Sequence, residues 1–583
     1  MEERSFKVGV GSAEVTGPLL PVGMMGFAQA SQRVEGIAMP LRARAFAFEA
    51  SPSAPRFVFV SAELWGITQS VQLAVGERLR LEHPQLKVDE SNVMLTATHT
   101  HSGPGGYSHH LLFNLSIGGY AEPIFQAIVD GVCSAIVEAL EGLEPGRVYL
   151  NCAEMPANDD VAFNRAIEAY NANPDVCPVS PEEAHLAVDR EMTSLRLDSA
   201  SGEPLGALSW FGVHASSLHS DNTLIHPDNK GLASKAFEDH AKGQWQQEAF
   251  VAAFPQTSAG DVTPNFRWDA ERGCMIGQSE DDMESARYNG ELQFSQALKL
   301  HRSCSDEHLL GAQIKRAFRY VDFSAATVSP EFCEGRKGIR TGHAVIGISM
   351  AQGTAEGPGP LFRFKALSAL MNAFIASYLK VRSMFQGREG VHSLFPQGAK
   401  FPMFEPGRGR QGRFLGLFSQ ATSVLFQCLD PTIARIHELR RRRAMGERSW
   451  TPPILPLQLV QVGALALVGL PFEPTTVAAR RIKELIQERL APKGVRHVVV
   501  SGYANAYCGY LTTQEEYALQ GYEAASTYMG QWTLAATLTH LVEMSQEMSE
   551  AKFSDEGAYC ASSSLRPMPF DDAELEKRRL SLT

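Results

Sequence analysis

The residues best suited to chemistry are the two histidines of Ala97-Thr98-His99-Thr100-His101-Ser102-Gly103-Pro104-Gly105-Gly106-Tyr107, which follow a short apolar strand, Val93 to Leu95. Side chains at i and i+2 of an extended backbone share a face. Both imidazoles are therefore expected to reach one pocket, one to ligate zinc and the other to handle protons. Neutral imidazole is the commonest metal ligand, and the glycines beyond let backbone or substrate come close. A hydrolytic zinc site needs about three protein ligands and an open position. The candidates are His99, His101, His214, Glu473 and Tyr510, with His109, His110, His219 and His226 in reserve. Taken singly, each has a plainer reading: His214 and Tyr510 as core, Glu473 as a carboxylate that complements a helix N-terminus.

The elements around these residues must bring them together. Arg56 to Leu64 reads as a buried strand, Val71 to Leu81 as a helix and Asn92 to Thr96 as a second strand, a βαβ unit with parallel strands. Ligands in open α/β sheets lie beyond strand carboxyl ends, and Glu63, His99 and His101 are expected at that edge. Near the C-terminus, LQLVQV, a Gly463-Ala464 turn and LALVGL predict a hairpin, with Glu473 just after it. A helix from about Thr476 to Leu490 and a strand His497 to Ser501 then deliver Tyr503, Tyr507 and Tyr510. Leu205 to Val213 is a strand ending at His214. Phe250 to Phe254 is another, running into Gly260, Asp261 and Thr263. The predicted class is α/β, with mixed and parallel sheets, helices packed on them and the site at strand carboxyl ends. Residues 1–550 are expected to form one catalytic domain and 551–583 a polar, peripheral tail. Gly353 to Gly412 reads as long loops or a lid.

Composition excludes several classes. The 583 residues are 44% hydrophobic, enough for a large core, and the net charge of -12 speaks against nucleic acid as a partner. Nine scattered cysteines without a CxxC argue against a disulfide scaffold and a cysteine zinc site. The apolar stretch Leu457 to Leu470 is too short to span a bilayer, and MEERSFKVGV lacks a signal-peptide core. A soluble chain is expected, its compartment open. Gly407-Arg408-Gly409-Arg410-Gln411-Gly412 matches GxGxxG in letters only and reads as a basic loop. Arg440 to Arg443 reads as a solvated helix end, with contact to anionic lipid headgroups the minority reading. GxSxG and HExxH are absent, so common serine hydrolase and metalloprotease templates fail.

From VGVGSAEVTGP at residues 8–18 to about residue 545, the chain resembles the neutral (neutral/alkaline) ceramidase family. The likeness rests on TATHTHSGPGGYSHH, NRAIEAYNANPD around Arg165, SWFGVHASSLH around His214, HPDNKGLAS at 226–234 and GDVTPN at 260–265. It continues through AEGPGP at 355–360, PFEPTT around Glu473 and GYANAYCGYLTTQEEY with GYEAAST up to Thr527. The resemblance implies a zinc amidase, one Zn2+ per chain, that cleaves the N-acyl bond of ceramide to sphingosine and free fatty acid. It implies His99, His214, Glu473 and Tyr510 as zinc ligands, and His101, Arg165 and Tyr522 at the scissile amide. Zinc-activated water would attack, Arg165 and Tyr522 would meet the oxyanion, and His101, titrating near neutrality, would deliver a proton to the amine. Transient contact with a membrane surface or micelle goes with such a substrate. The departures are Thr263 for the family serine and Glu63 for an aspartate, and the family's C-terminal β-sandwich domain is expected to be missing. Cys428 stands at a family disulfide position whose partner position reads Gly342, leaving Cys333 as substitute. The alternatives are a zinc hydrolase of another N-acyl lipid or lipid ester, separated only by the groove lining, and an inactive sphingolipid-binding protein, which would need no open metal.

Overall fold

The computed structural model describes residues 6–50, 56–359, 396–414, 418–419, 448–550, 560–561 and 565–580, with single positions 373 and 377. Its centre is two β-sheets packed face to face, each covered outside by helices. The first sheet holds β1 (Phe6–Glu14), β2 (Arg42–Glu49), β3 (Arg56–Ala62), β4 (Val93–Ala97), β5 (Glu144–Glu154), β6 (Glu191–Ser199), β7 (Pro204–Trp210) and β8 (Val251–Ala253), in the order β8-β7-β6-β5-β1-β2-β3-β4. The β3/β4 and β7/β8 pairs are parallel and the others antiparallel. The second sheet holds β9 (Ile314–Asp322), β10 (Ile454–Val462), β11 (Leu465–Gly469), β12 (His497–Ser501) and β13 (Cys560–Ala561), in the order β12-β11-β10-β9-β13.

Strand alternation explains the layering. In β2, Ala43, Ala45 and Ala47 join one core cluster while Phe46 and Phe48 join another; in β3, Val58 and Val60 separate from Phe57 and Phe59 in the same way. The phenylalanines meet Val460, Leu465, Leu467 and Val499 of the second sheet, each buried ring contributing about 1.5–3 kcal/mol. The small side chains face α2 (Glu122–Glu141), which lies so close to β1 that a Cβ at Gly9 would stand 2.1 Å from Ala139 O. Gly9→Ala would therefore force helix and strand apart. By length and composition α2 could cross a membrane, but Ile124, Ile128, Val132, Ala135 and Ile136 are buried in the core it shares with the sheet.

The predicted βαβ unit is present as β3, α1 (Gln69–Glu82) and β4, with Val58 opposite Val93 in parallel register. The predicted hairpin is β10 and β11, and α5 (Thr476–Leu490) crosses to β12, parallel to β11. Thr475 starts α5, its hydroxyl accepting from the Ala478 N–H, and this cap fixes the direction of the preceding Glu473. Every candidate ligand follows the carboxyl end of a strand: His99 after β4, His214 after β7, Glu473 after β11 and Tyr510 after β12.

The letters-only reading of GRGRQG agrees with the structure, and two other expectations meet different structure. The GRGRQG motif lies in a 3-10 turn, Pro406–Gln411, that leads into a two-residue strand, Arg413–Phe414, so no α-helix N-terminus stands there to hold a phosphate. The described parts of the segment expected to be peripheral are packed: β13 pairs with β9, and Arg578, at the end of α7 (Asp572–Arg578), is buried and donates to His109 O. Cys333 is a free, buried thiol donating to Ser329 O. Cys428 and Arg440 to Arg443 lie outside the described residues.

Candidate active site

After β4 the chain bends instead of continuing extended. His99 has φ +71, in the left-handed region that costs a non-glycine residue about 1–2 kcal/mol. Strand-like i, i+2 geometry is therefore not what joins His99 to His101. Backbone bonds hold the bend: Thr98 N–H to Ala62 O, His99 N–H to Leu64 O and His101 N–H to Ala215 O. The two Nε2 atoms consequently lie 3.1 Å apart. Gly26 makes room for this ring, since a Cβ there would stand 2.3 Å from His101 Cγ.

The second-nitrogen contacts sort the three histidines. Nδ1 of His99 faces Trp65 O and Nδ1 of His214 faces Val262 O at 3.0 Å. With Nδ1–H given to a carbonyl, each ring keeps its lone pair on Nε2. Those two Nε2 atoms each lie 3.5 Å from Glu473 Oε2, and Nε2 of His214 has no hydrogen-bond partner among the described residues. His99, His101 and His214 offer ligand atoms within 4.8 Å of one another. Lone pairs converging in a buried pocket repel unless a cation joins them, and a carboxylate beside them fits a divalent ion. His101 differs, because its buried Nδ1 has no partner among the described residues and no carbonyl fixes its tautomer.

Electrostatics agree with this division. Burial pushes His99 down to about 4 despite Glu473, so its imidazole is neutral at pH 7. Burial, then His99, His214 and Arg165, hold His101 well below its ordinary value. The expectation that His101 titrates near neutrality is thereby corrected: its imidazole is neutral at pH 7. Burial works to raise the Glu473 carboxyl, but His99, His214 and Tyr507 bring it to about 2. Tyr503 and Tyr507 donate to its two oxygens.

A second set of residues gathers around Arg165. Phe163–Asn164 pairs antiparallel with Val262–Thr263, and Glu473 lies opposite Tyr510 in a short parallel pair. Arg165 Nη2 donates to Tyr510 OH at 3.0 Å and to Gly260 O at 2.9 Å, Nε to Glu523 at 3.0 Å and Nη1 to Glu356. Its guanidinium lies 5.7 Å from the Tyr522 ring centre, and the Tyr510 and Tyr522 rings meet edge-on at 5.6 Å. Burial pushes the Tyr522 phenol up to about 12, so it is a donor at neutral pH. Asp261 is scaffolding: its carboxylate accepts from Thr476 N–H, Thr476 Oγ1 and Asn164 Nδ2, tying the loop to the start of α5. Thr263 donates to Glu356, whose carboxyl burial would raise but Arg165, His214 and Thr263 hold below the usual range.

The sequence reading did not single out Glu356 and Glu523, although AEGPGP and GYEAAST were legible as motifs. Conversely, Glu63, expected at the site edge, gives its oxygens to Arg44 and to the Arg42 N–H. The reserve histidines are engaged elsewhere. His109 and His110 pack against Phe570, His226 Nδ1 accepts from the Asp228 N–H, and His219 pairs with Asp282. Another Cys/Glu/His grouping, Cys152, Glu191 and His497, is an ion-pair cluster, because Lys483 Nζ already stands 2.6 Å from Glu191.

This arrangement can be set beside known proteins. A family model described as neutral/alkaline non-lysosomal ceramidase, N-terminal, matches residues 6–389 and 436–539, and the chain belongs to that family. It is 36% identical over 551 residues to a neutral ceramidase of Pseudomonas aeruginosa, covering 94% of this chain and 73% of that one. It is 31% identical over 558 residues to a neutral ceramidase of Mycobacterium tuberculosis, covering 94% and 78%. The crystal structure of the Pseudomonas aeruginosa protein superposes with a TM-score of 0.71 at 33% identity, covering 94% of this chain and 75% of that one. A structure described as ceramidase complexed with C2 gives 0.74 at 35%, with the same coverages.

Proposed function

We propose that this chain is a ceramidase that hydrolyses the N-acyl amide of ceramide to sphingosine and a fatty acid with the help of one zinc ion. The observation that carries the reading is the convergence of His99 Nε2, His214 Nε2 and Glu473 Oε2, with both Nδ1 atoms anchored on carbonyls. Family membership supports ceramide as substrate. His99, His214 and Glu473 would hold the metal, with Tyr510 as fourth ligand from the strand opposite Glu473. When bound, zinc supplies Lewis acidity and makes water acidic near neutral pH.

The chain's own groups do the rest. Arg165 and Tyr522 present donors to the carbonyl oxygen as negative charge develops on it, which fixed dipoles in a dry site stabilise strongly. His101, neutral, takes up the water proton and passes it to the departing amine nitrogen. Thr263 is not the nucleophile in this scheme: water supplies the attacking oxygen, and the bond from Thr263 to Glu356 is read as a positioning contact. Zinc analysis together with release of fluorescent fatty acid from a labelled ceramide tests the proposal. Loss of turnover on chelation and its return with zinc are expected. A zinc-free protein that hydrolyses at full rate, or a zinc-loaded one inert toward ceramide, would overturn it.

A further inference from the structure

A turn that carries no assigned role touches both halves of the site. Gly353 and Pro358 form a bridge, Gly359 N–H donates to Gln352 O and Ala355 O accepts from Met275 N–H, so the intervening residues are fixed at their root. From this turn Glu356 projects into the site, 4% exposed. One of its oxygens takes Arg165 Nη1; the other takes Thr263 Oγ1 and, at 3.4 Å, Asn265 Nδ2. Thr263 Oγ1 accepts in turn from the Asn265 N–H at 3.0 Å. Both carboxylate oxygens and the threonine hydroxyl thus have partners. Gly357, the next residue, packs on Phe27, whose ring meets His101 edge-on at 4.6 Å.

Arg165 shows what this achieves. A guanidinium carries five N–H donors in a rigid fork, and its bonds to Glu523, Glu356, Gly260 O and Tyr510 leave one N–H, on Nη1, without a partner among the described residues. Glu356 binds that same nitrogen. The orientation of Glu356 is therefore one of the constraints on where the remaining N–H points, and a misplacement of about 1 Å at a reacting centre costs on the order of 10²-fold.

We infer that Glu356 is a positioning residue that aims Arg165 at the scissile amide, and that the hydroxyl of Thr263 exists to hold Glu356 in that orientation. The inference rests on the reading of Arg165 as a transition-state donor. It gives the GDVTPN loop a task any hydroxyl residue can perform, so serine serves equally well.

The test uses full-length, zinc-loaded protein and a fluorescent short-chain ceramide, with zinc content and melting temperature recorded for each variant. Glu356→Gln keeps the size and one acceptor but loses the charge; Thr263→Val keeps the shape and loses the hydroxyl. Each should lower kcat by about 10-fold or more with KM within about twofold and zinc unchanged. Thr263→Ser should restore the parental kcat. In an Arg165→Lys background, Glu356→Gln should add little, because Glu356 acts through Arg165. Parental kcat in Glu356→Gln, a loss that multiplies fully with Arg165→Lys, or a Thr263→Val as fast as the parent would overturn the inference. An acyl adduct on Thr263 would overturn it as well. If Arg165→Lys itself leaves kcat untouched, the reading of Arg165 fails first, and the two failures are thereby distinguished.

Discussion

Two buried histidine–carboxylate groups in this chain are wired in opposite ways. His219 has acceptors on both ring nitrogens, Asp282 at Nδ1 (3.0 Å) and Met275 O at Nε2 (2.9 Å). Both nitrogens must then carry protons, and although burial opposes it, Asp282 raises the ring to about 10. Arg272 closes the cluster on Asp282. His99 and His214 have a carbonyl at Nδ1 only, and their Nε2 lone pairs converge on each other and on Glu473. The first arrangement is a self-sufficient ion pair; the second turns two ring nitrogens and a carboxylate toward one point, as a candidate metal site does. The number of acceptors around an imidazole, rather than its burial, separates the fully hydrogen-bonded His219 from the two rings proposed to hold a metal.

The contrast can be broken most sharply at His214. His214→Ala or His99→Ala should lose bound zinc and reduce ceramide turnover to background, read by metal analysis and fatty-acid release; either variant retaining full zinc would remove the distinction. Next in size, Arg165→Ala and Tyr522→Phe should lower kcat and kcat/KM together, Arg165→Ala by about 10²–10³-fold as for a lost oxyanion donor. An effect on KM alone would reassign both to ground-state binding. His101→Ala should keep its zinc and lose about 10²-fold in rate, and zinc falling in step with rate would make His101 a ligand like its neighbours.

The smallest effect belongs to the other cluster and concerns stability alone. A histidine with a raised folded pKa stabilises fully below its unfolded value, near 6.5, and loses that contribution as pH rises through about 10. His219→Gln should therefore melt lower than the parent at pH 6, by about 2 kcal/mol for a charge-assisted hydrogen bond. The gap should close toward pH 10 while zinc content and kcat stay unchanged. A gap constant from pH 6 to pH 10 would mean that His219 is not charged.

Long periodic segments were legible in the sequence. β3, α1 and β4, and β10, β11, α5 and β12, follow from apolar spacing and turn residues, and they place His99 and Glu473 past strand ends. The bend at His99 was not legible, because a positive φ in a non-glycine residue is imposed by tertiary hydrogen bonds rather than by local propensity. Glu356 and Glu523 escaped for another reason. They meet Arg165 across 191 and 358 residues of chain, and the motifs that contain them do not reveal that distant partner. Glu63 erred the other way, its position at the strand end being right but its charge already taken by Arg44.

The clasp at the chain's end bears on how the molecule opens. Tyr120 N–H donates to Arg578 O, Leu580 N–H donates to Tyr120 O, and Phe570 lies between Arg448 and Arg578 beneath His109 and His110. The segment just beyond the histidine loop and the last described residues thus share hydrogen bonds and should unfold as one cooperative unit. Amide exchange at Tyr120 and around His109 should accelerate together when Phe570 is replaced by alanine, while the core of β3 stays protected.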